Sequence, residues 1–229
     1  MTPRARRAAL AAACLLLAAV VLPLGWAWTL GTEPARAAGV IVDERDKQVL
    51  TPRAVAESGT GVVTGNPQGD VTLVEYFDYQ CPVCRRVHPD VRDLVDGDGN
   101  IRVIHKHWPI FGDASVAAAK LALAARWQGA EVYDAVHHAL MTLPGRLTSE
   151  RARAAAAEAG LDLARADAAL AERADAVVAQ LQGVASEAAQ MGLRGTPVFL
   201  VGSYFLPGGP DRAALETLVE GVRKGEDRL

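Results

Sequence analysis

Two cysteines separated by two residues, Cys81 and Cys84, are the side chains whose type and spacing point most directly to chemistry. A pair with this spacing at a strand-to-helix turn is typical of a thiol–disulfide redox site. Exchange needs one thiolate that attacks and a second thiol that resolves the mixed disulfide. Unsatisfied N–H groups and the helix dipole favour a thiolate at a helix N-terminus. We therefore assign Cys81 as the attacking, more exposed thiol and Cys84 as the more buried, resolving thiol.

Two structural uses of the cysteine pair fit the sequence less well than redox chemistry. A structural disulfide between the two cysteines would close a very small loop and would constrain the unfolded chain little. A zinc site would need two further ligands, and His88, His105 and His107 show no recognisable ligand spacing. One alternative stays open, a non-catalytic module in which the two thiolates hold a metal such as copper(I).

The residues before the pair predict a strand, and those after it predict a helix. Residues 71–77 are rich in β-branched and aromatic side chains, as in a central strand. From residue 81 to about residue 95, apolar side chains recur on one helical face, at Val83, Val87, Val91 and Leu94. Pro82 suits the first helical turn, whereas Pro89 is expected to kink the helix or to end its first segment.

The remaining segments complete an α/β pattern. Residues 101–108 predict a second strand. Residues 113–190 are almost all helix formers and predict four or five helices, divided at Gly129, Pro144-Gly145, Gly160 and Gly183. A strand at 195–202, a hairpin partner at 204–206 and a final helix from Pro210 follow. This order predicts one sheet with a helical domain inserted beside it.

The first 38 residues are expected to be a signal peptide or an N-terminal membrane anchor. Three arginines among the first seven residues form a basic region, and the next charged residue is Glu33. Small residues around Ala37 fit a cleavage site, but the apolar run is also long enough to span a bilayer. Cys14 is interpreted as part of that run. Residues 39–61 are expected to be a linker, with residues 44–50 as a possible short helix.

The charge of the chain argues against nucleic acid as a partner. The net charge is −3, and it becomes −6 if residues 1–37 are removed. A protein that binds a phosphate backbone is expected to carry a basic excess. The exported part also retains only Cys81 and Cys84 as cysteines, which agrees with a redox-active pair.

Taken together, the motifs resemble the DsbA-type thioredoxin-fold oxidoreductases. The segments that carry the resemblance are Gly65-Asn66-Pro67, residues 71–84, Lys106 with Trp108-Pro109-Ile110, and Gly195-Thr196-Pro197. The resemblance implies an α/β fold, a thioredoxin fold with an inserted all-helical domain. Residues 62–112 and 191–229 would form the thioredoxin-like domain, and residues 113–190 the insertion.

The resemblance also implies roles for four residues outside the cysteine pair. A cis peptide bond before Pro197 would present the backbone of Thr196 to a substrate strand. Glu75, on the strand that leads to the pair, would be a buried acid that passes protons to or from Cys84. Lys106 on the next strand would be the basic partner of Glu75.

The histidines are given no part in this site. His88 is expected at a surface position of the first long helix. His137 and His138 are expected on a solvated helix face, because adjacent helix positions point in different directions and do not readily chelate one metal.

These observations predict an exported, periplasmic or otherwise extracytoplasmic thiol–disulfide oxidoreductase that needs no cofactor beyond the Cys81–Cys84 disulfide. Its partners would be cysteine-containing client proteins and a membrane redox protein, similar to DsbB or to DsbD. Disulfide isomerase and reductase activities stay open within the same fold, because Pro82 and Val83 between the cysteines add no charge or titrating group.

Overall fold

The computed structural model describes residues 41–43 and 48–225. The expected signal peptide or anchor therefore lies outside the described residues. Among the residues that are described, no helix is long and apolar enough to cross a membrane.

A five-stranded mixed sheet forms the centre of the fold. Its strands are β3 (Val62–Gly65), β4 (Val71–Phe77), β5 (Ile101–His107), β6 (Val198–Val201) and β7 (Tyr204–Pro207), after a separate short hairpin of β1 (Ile41–Asp43) and β2 (Gln48–Leu50). The spatial order is β3-β5-β4-β6-β7. Strands β4 and β5 are parallel, and the other neighbours are antiparallel. The central strand β4 is buried along nearly its whole length, as its β-branched and aromatic composition predicts.

Helix α2 (Pro82–Asp98) connects the two parallel strands and covers one face of the sheet. The predicted apolar stripe is largely confirmed, since Val87, Val91 and Leu94 are buried. Of the two outcomes expected for Pro89, a kink or the end of the first helical segment, the second is wrong, because the helix continues through this residue. Pro89 lies on the exposed side. Burial of the opposite side offsets the cost of the missing backbone hydrogen bond.

The predicted helical insertion between β5 and β6 is present and contains five helices. These are α3 (Asp113–Arg126), α4 (Ala130–Thr142), α5 (Ser149–Glu158), α6 (Leu163–Glu172) and α7 (Ala174–Gln190). Gly183 does not divide helices as predicted but lies within α7. A Cβ atom at this position would lie 2.9 Å from the side chain of Thr60, so glycine allows α7 to approach the segment before β3 closely.

Residues 39–61, expected to be a linker, include a helix that packs on the second face of the sheet. This helix, α1 (Pro52–Glu57), begins at an N-cap formed by Thr51, whereas the sequence suggested a helix at 44–50. Val55 is buried against Tyr76 and other residues of that face. The last helix of the described residues, α8 (Arg212–Arg223), packs beside α2 on the first face of the sheet.

Candidate active site

Cys81 occupies the N-cap position of α2, where extended backbone turns into helix. Pro82 suits the first helical position, because its ring fixes φ and no N–H is needed there. Sγ of Cys81 lies 3.5 Å from the N–H nitrogen of Cys84, and in its protonated form the thiol donates to the carbonyl oxygen of Thr196 at 3.2 Å. The hydrogen bond from the Cys84 side chain is the main cause that lowers the pKa of Cys81 to about 6. Cys81 is therefore largely a thiolate at neutral pH.

Cys84 lies one turn further into α2 and is completely buried. Burial raises the pKa of its thiol well above the ordinary value, and the hydrogen bond to Cys81 and the charge of Glu75 act in the same direction. Both cysteines are in the free, dithiol form. Cys81 is itself only 2% exposed, so the two thiols differ in pKa far more than in exposure.

The loop before β6 faces Cys81, and its Thr196–Pro197 peptide bond is cis, as expected from the resemblance. Thr196 precedes β6 and takes no part in the sheet ladder. The loop borders a surface groove that also includes Leu193, Phe205 and Pro207. The structure thus brings Thr196 and Pro197 beside a cysteine more than a hundred residues earlier in the chain.

Asp78 positions the turn that leads into Cys81, a role that the sequence did not reveal. Its buried carboxylate accepts hydrogen bonds from the backbone of Gln80 at 2.6 Å and from Ile110 and Phe111 at 2.7 and 3.1 Å. It also accepts one from the hydroxyl of Ser115 at 2.7 Å. One carboxylate therefore joins the active-site turn to the loop that enters the helical insertion.

Glu75 lies on the face of β4 that α2 covers and is 1% exposed. Its Oε2 atom lies 3.4 Å from Nδ1 of His105, the residue opposite Glu75 on the neighbouring strand. Its Oε1 atom has no hydrogen-bond partner among the described residues. The structure therefore places a buried carboxyl group near Cys84, and its neighbour is a histidine.

Lys106 is not the basic partner of Glu75, and that expectation is wrong. The parallel register pairs Lys106 with Tyr76, which places its side chain on the opposite face of the sheet from Glu75. There its Nζ atom donates hydrogen bonds to Oε2 of Glu187 at 2.9 Å and to the carbonyl oxygen of Val55 at 2.8 Å. It also donates to hydroxyl groups of the segment before β3. Lys106 thus ties α7 and α1 to the sheet, away from the cysteines.

Two predictions about histidines are also wrong. His88 is 5% exposed rather than on the surface, and its Nε2 atom lies 3.0 Å from Nδ1 of His138. His137 is buried, and its Nδ1 atom lies 2.9 Å from the hydroxyl of Tyr79. Contact between α4 and α2 buries both positions. For His137 a signal existed, since it follows Tyr133 by one helical turn on the buried face of α4. His138 is exposed, as expected.

The described residues include no group of three or more histidine, cysteine or acidic side chains that is arranged to hold a metal ion. The two thiols of the site have opposite pKa shifts. Such a pair is suited to thiol–disulfide exchange.

The sequence and the fold of the chain are similar to those of known proteins. A sequence model of the family described as Thioredoxin matches residues 57–221. A thioredoxin-like oxidoreductase from Silicibacter pomeroyi is 38% identical, with a TM-score of 0.71 over 76% of this chain and 99% of that one. The thiol-disulfide exchange protein alpha-DsbA2 from Wolbachia pipientis is 27% identical, with a TM-score of 0.70 over 74% and 91%. A periplasmic thioredoxin-like protein from Salmonella enterica serovar Typhimurium is 25% identical, with a TM-score of 0.64 over 73% and 93%.

Curated relatives with similar sequences are longer proteins. A Na(+)/H(+) antiporter, NhaA 1 of Salinispora arenicola, is 33% identical over 165 residues, which are 71% of this chain and 25% of the antiporter. The NhaA antiporter of Herminiimonas arsenicoxydans is 29% identical over 170 residues, or 71% and 26%. The chain thus spans about a quarter of the length of these relatives.

Proposed function

The chain belongs to the thioredoxin family, and we propose that this member is an exported thiol–disulfide oxidoreductase acting through Cys81 and Cys84. Its fold is that of the DsbA-like oxidoreductases, with the helical insertion between two parts of the sheet. The proposal concerns the thiol chemistry of the matched region, residues 57–221.

The observation that carries the proposal is the opposite behaviour of two adjacent thiols. Cys81 has a pKa of about 6, whereas the pKa of Cys84 is raised by burial. A thiol with a low pKa is a good leaving group, and it is ionised when it has to attack. A resolving thiol that stays protonated attacks only after a base has removed its proton.

In the oxidised protein, a client thiolate would attack Sγ of Cys81 and break its bond to Cys84. The electron pair of that bond would go to Cys84, which then takes up a proton. A second client thiolate would attack the client sulfur of the mixed disulfide and release Cys81 as its thiolate. The client would lose two electrons and gain a disulfide, and the cysteine pair would gain the two electrons.

The low pKa of Cys81 also favours one direction of exchange. A thiolate that is stabilised in the folded protein stabilises the reduced pair at pH 7. The oxidised pair then donates its disulfide more readily. We therefore propose that the protein chiefly forms client disulfides and does not chiefly isomerise or reduce them.

The groove beside Pro197 is the proposed site for the client. Thr196 lies outside the ladder of β6, and its backbone groups are suited to pair with an extended client segment. Leu193 and Phe205 border the same groove and offer apolar contacts to client side chains. Such a site suits an extended, unfolded segment that carries a cysteine.

An extracytoplasmic location and a membrane redox partner complete the proposal. One structural relative is described as periplasmic, and the basic and apolar N-terminal sequence is typical of an export signal. A membrane protein similar to DsbB would reoxidise the cysteine pair. A reducing partner similar to DsbD would be needed if the protein worked as an isomerase or reductase.

Oxidative refolding of a reduced, cysteine-containing client tests the proposal. The oxidised protein should form client disulfides, and Cys81→Ser should abolish this activity. Cys84→Ser should accumulate mixed disulfides with the client, because the resolving thiol is missing. Stoichiometric copper in the purified protein, together with no thiol oxidation or insulin reduction, would instead support the metal-binding alternative.

A further inference from the structure

All five histidines of the chain lie close together on three neighbouring elements, α2, β5 and α4. They are His88, His105, His107, His137 and His138. The ring centroids of His105 and His137 are 4.4 Å apart, and those of His137 and His88 are 5.1 Å apart. His138 is exposed, whereas the other four are buried. The rings of His105, His137, His88 and His138 therefore form a continuous row that ends at an exposed residue.

His105, at the other end of this row, bridges two polar side chains. Its Nδ1 atom is 3.4 Å from Oε2 of Glu75, and its Nε2 atom is 2.9 Å from the hydroxyl of Thr64. The charge of Glu75 is among the causes that raise the pKa of Cys84. Thr64 lies on the edge strand β3 and is partly exposed. The two nitrogens of one imidazole thus face a buried acid on one side and a partly exposed hydroxyl on the other.

A cleft of about 60 Å³ reaches His105 and Thr64 from the surface. Its lining includes Thr64, His105 and His137, with Arg92 and Asp134 paired beside them at 3.1 Å. A water molecule needs about 10–15 Å³ of such volume, so the cleft has room for several. It shares no lining residue with the groove at Pro197.

Three buried polar atoms in and beside the cleft have no hydrogen-bond partner within the described part of the protein. They are Oε1 of Glu75, Nε2 of His137 and Nδ1 of His105, whose polar neighbour is Oε2 of Glu75 at 3.4 Å. Buried polar atoms are nearly always paired, and a cluster of exceptions calls for an explanation such as a functional role. The side chains that face His105 are those of Glu75, His88, His107, Tyr133 and His137. Burial lowers the pKa values of three of these, His88, His107 and His137, so that they are neutral at pH 7.

We propose that Glu75 and His105 form a proton relay between Cys84 and the cleft at Thr64. The relay rests on the proposed oxidoreductase function and adds His105 as a positioning and proton-carrying residue that acts through Glu75. A client bound at Pro197 would cover the cysteine pair from the other side. The relay would let the proton of Cys84 leave or enter while the client is bound.

During reoxidation of the protein, the relay would act on the second step. Cys84 would give its proton to the carboxylate of Glu75, and the new thiolate would attack Sγ of Cys81 in the mixed disulfide. A disulfide between the two cysteines would form, and the partner sulfur would leave with the electron pair of the broken bond. Glu75 would pass the proton to His105 and so to water in the cleft, and the steps would run in reverse when a client is oxidised.

A peptide disulfide with a thiopyridine leaving group tests the relay in two resolved steps. The reduced protein should attack it through Cys81, release thiopyridone and form a mixed disulfide with the peptide. Quenched-flow mass spectrometry then follows the decay of this mixed disulfide as Cys84 resolves it. His105→Asn should leave the first step unchanged and slow the second by about tenfold or more, because proton transfer is its main requirement.

His107→Asn is the matched control, because His107 is also buried on β5 but is not beside Glu75. This control should decay at the rate of the unmodified protein. Equal rates for His105→Asn and the unmodified protein, or equal slowing in both variants, would overturn the relay. Absence of thiopyridone release by the unmodified protein would instead overturn the proposed function.

Chemical rescue separates proton transfer from a purely structural role. His105→Ala should be slow in the second step, and added imidazole should restore part of its rate through the cleft. Failure of rescue in a folded variant would count against the relay. If neither variant folds, nitrogen NMR of the unmodified protein decides the matter, since the imidazole signals of His105 should change between the oxidised and reduced forms more than those of His107. Unchanged His105 signals would refute the relay.

Discussion

The low pKa of Cys81 depends chiefly on a hydrogen bond from Cys84, and this dependence gives a sharp test. The pKa of Cys81 is lowered from its usual 9.0 to about 6, with the hydrogen bond from the Cys84 side chain as the largest cause. A lowering of about three pH units corresponds to about 4 kcal/mol in favour of the thiolate. Because Cys84 has a raised pKa, it remains a donor over the whole range in which Cys81 titrates.

Replacement of Cys84 by alanine removes this donor, and replacement by serine keeps one. A hydrogen bond to a charged group contributes about 1.5–3 kcal/mol, so Cys84→Ala should raise the pKa of Cys81 by about 1–2 units. The pKa would then be about 7–8. Cys84→Ser should stay close to the unmodified value, because its hydroxyl lies where the thiol was.

The ultraviolet absorbance of the thiolate, measured against pH in the reduced proteins, gives each midpoint directly. The rate of alkylation by iodoacetamide should follow the same curves, because only the thiolate reacts. Equal midpoints in the alanine and serine variants would refute the assignment of Cys84 as the controlling donor. A midpoint near 9 in the unmodified protein would refute the low pKa itself.

Three further predictions concern the pair and its supports. The reduction potential should fall by about 59 mV per pH unit below pH 6 and by about 30 mV per unit above it, because reduction takes up two protons below the pKa of Cys81 and only one above it. Protein-film voltammetry or equilibration with glutathione measures the potential at each pH. A single slope from pH 4 to 8 would contradict the prediction. Lys106→Met should lower the free energy of unfolding, measured by urea denaturation, by about 3–5 kcal/mol, because the buried carboxylate of Glu187 would lose its ion-pair partner. Arg153→Met, which breaks an exposed ion pair, should change the free energy of unfolding little. Asp78→Ala should destabilise the protein by about 3 kcal/mol or more, because the buried hydroxyl of Ser115 and the backbone N–H groups of Ile110 and Phe111 lose their shared acceptor. An unchanged urea midpoint would show that water replaces the carboxylate.

The sequence predicted the parts of the site that are marked by local patterns. The spacing of Cys81 and Cys84, the strand before them and the helix after them all follow from neighbouring residues. The partnership with Pro197 came from the resemblance, and the structure confirms its cis peptide bond and its place beside Cys81. No local pattern contains that contact.

The parts that were predicted wrongly depend on strand register and on helix packing. A shift of one residue exchanges the two faces of a strand, so composition alone did not show that Lys106 points away from Glu75. The burial of His88 depends on α4, which comes from a distant part of the sequence. By contrast, Pro52 after Thr51 was an available signal for the start of α1.

Buried carboxylates hold the helical insertion at both of its junctions with the sheet. Asp78 holds the entrance through the backbone of Ile110 and Phe111, and Glu187 holds the exit through its ion pair with Lys106. Under the proposed function, such fixed junctions limit the adjustment of the protein on binding, and the entropy of adjustment falls on the client. A client that is already folded would have to unfold locally to reach Cys81, so the stability of the client itself would help to decide which cysteines are oxidised.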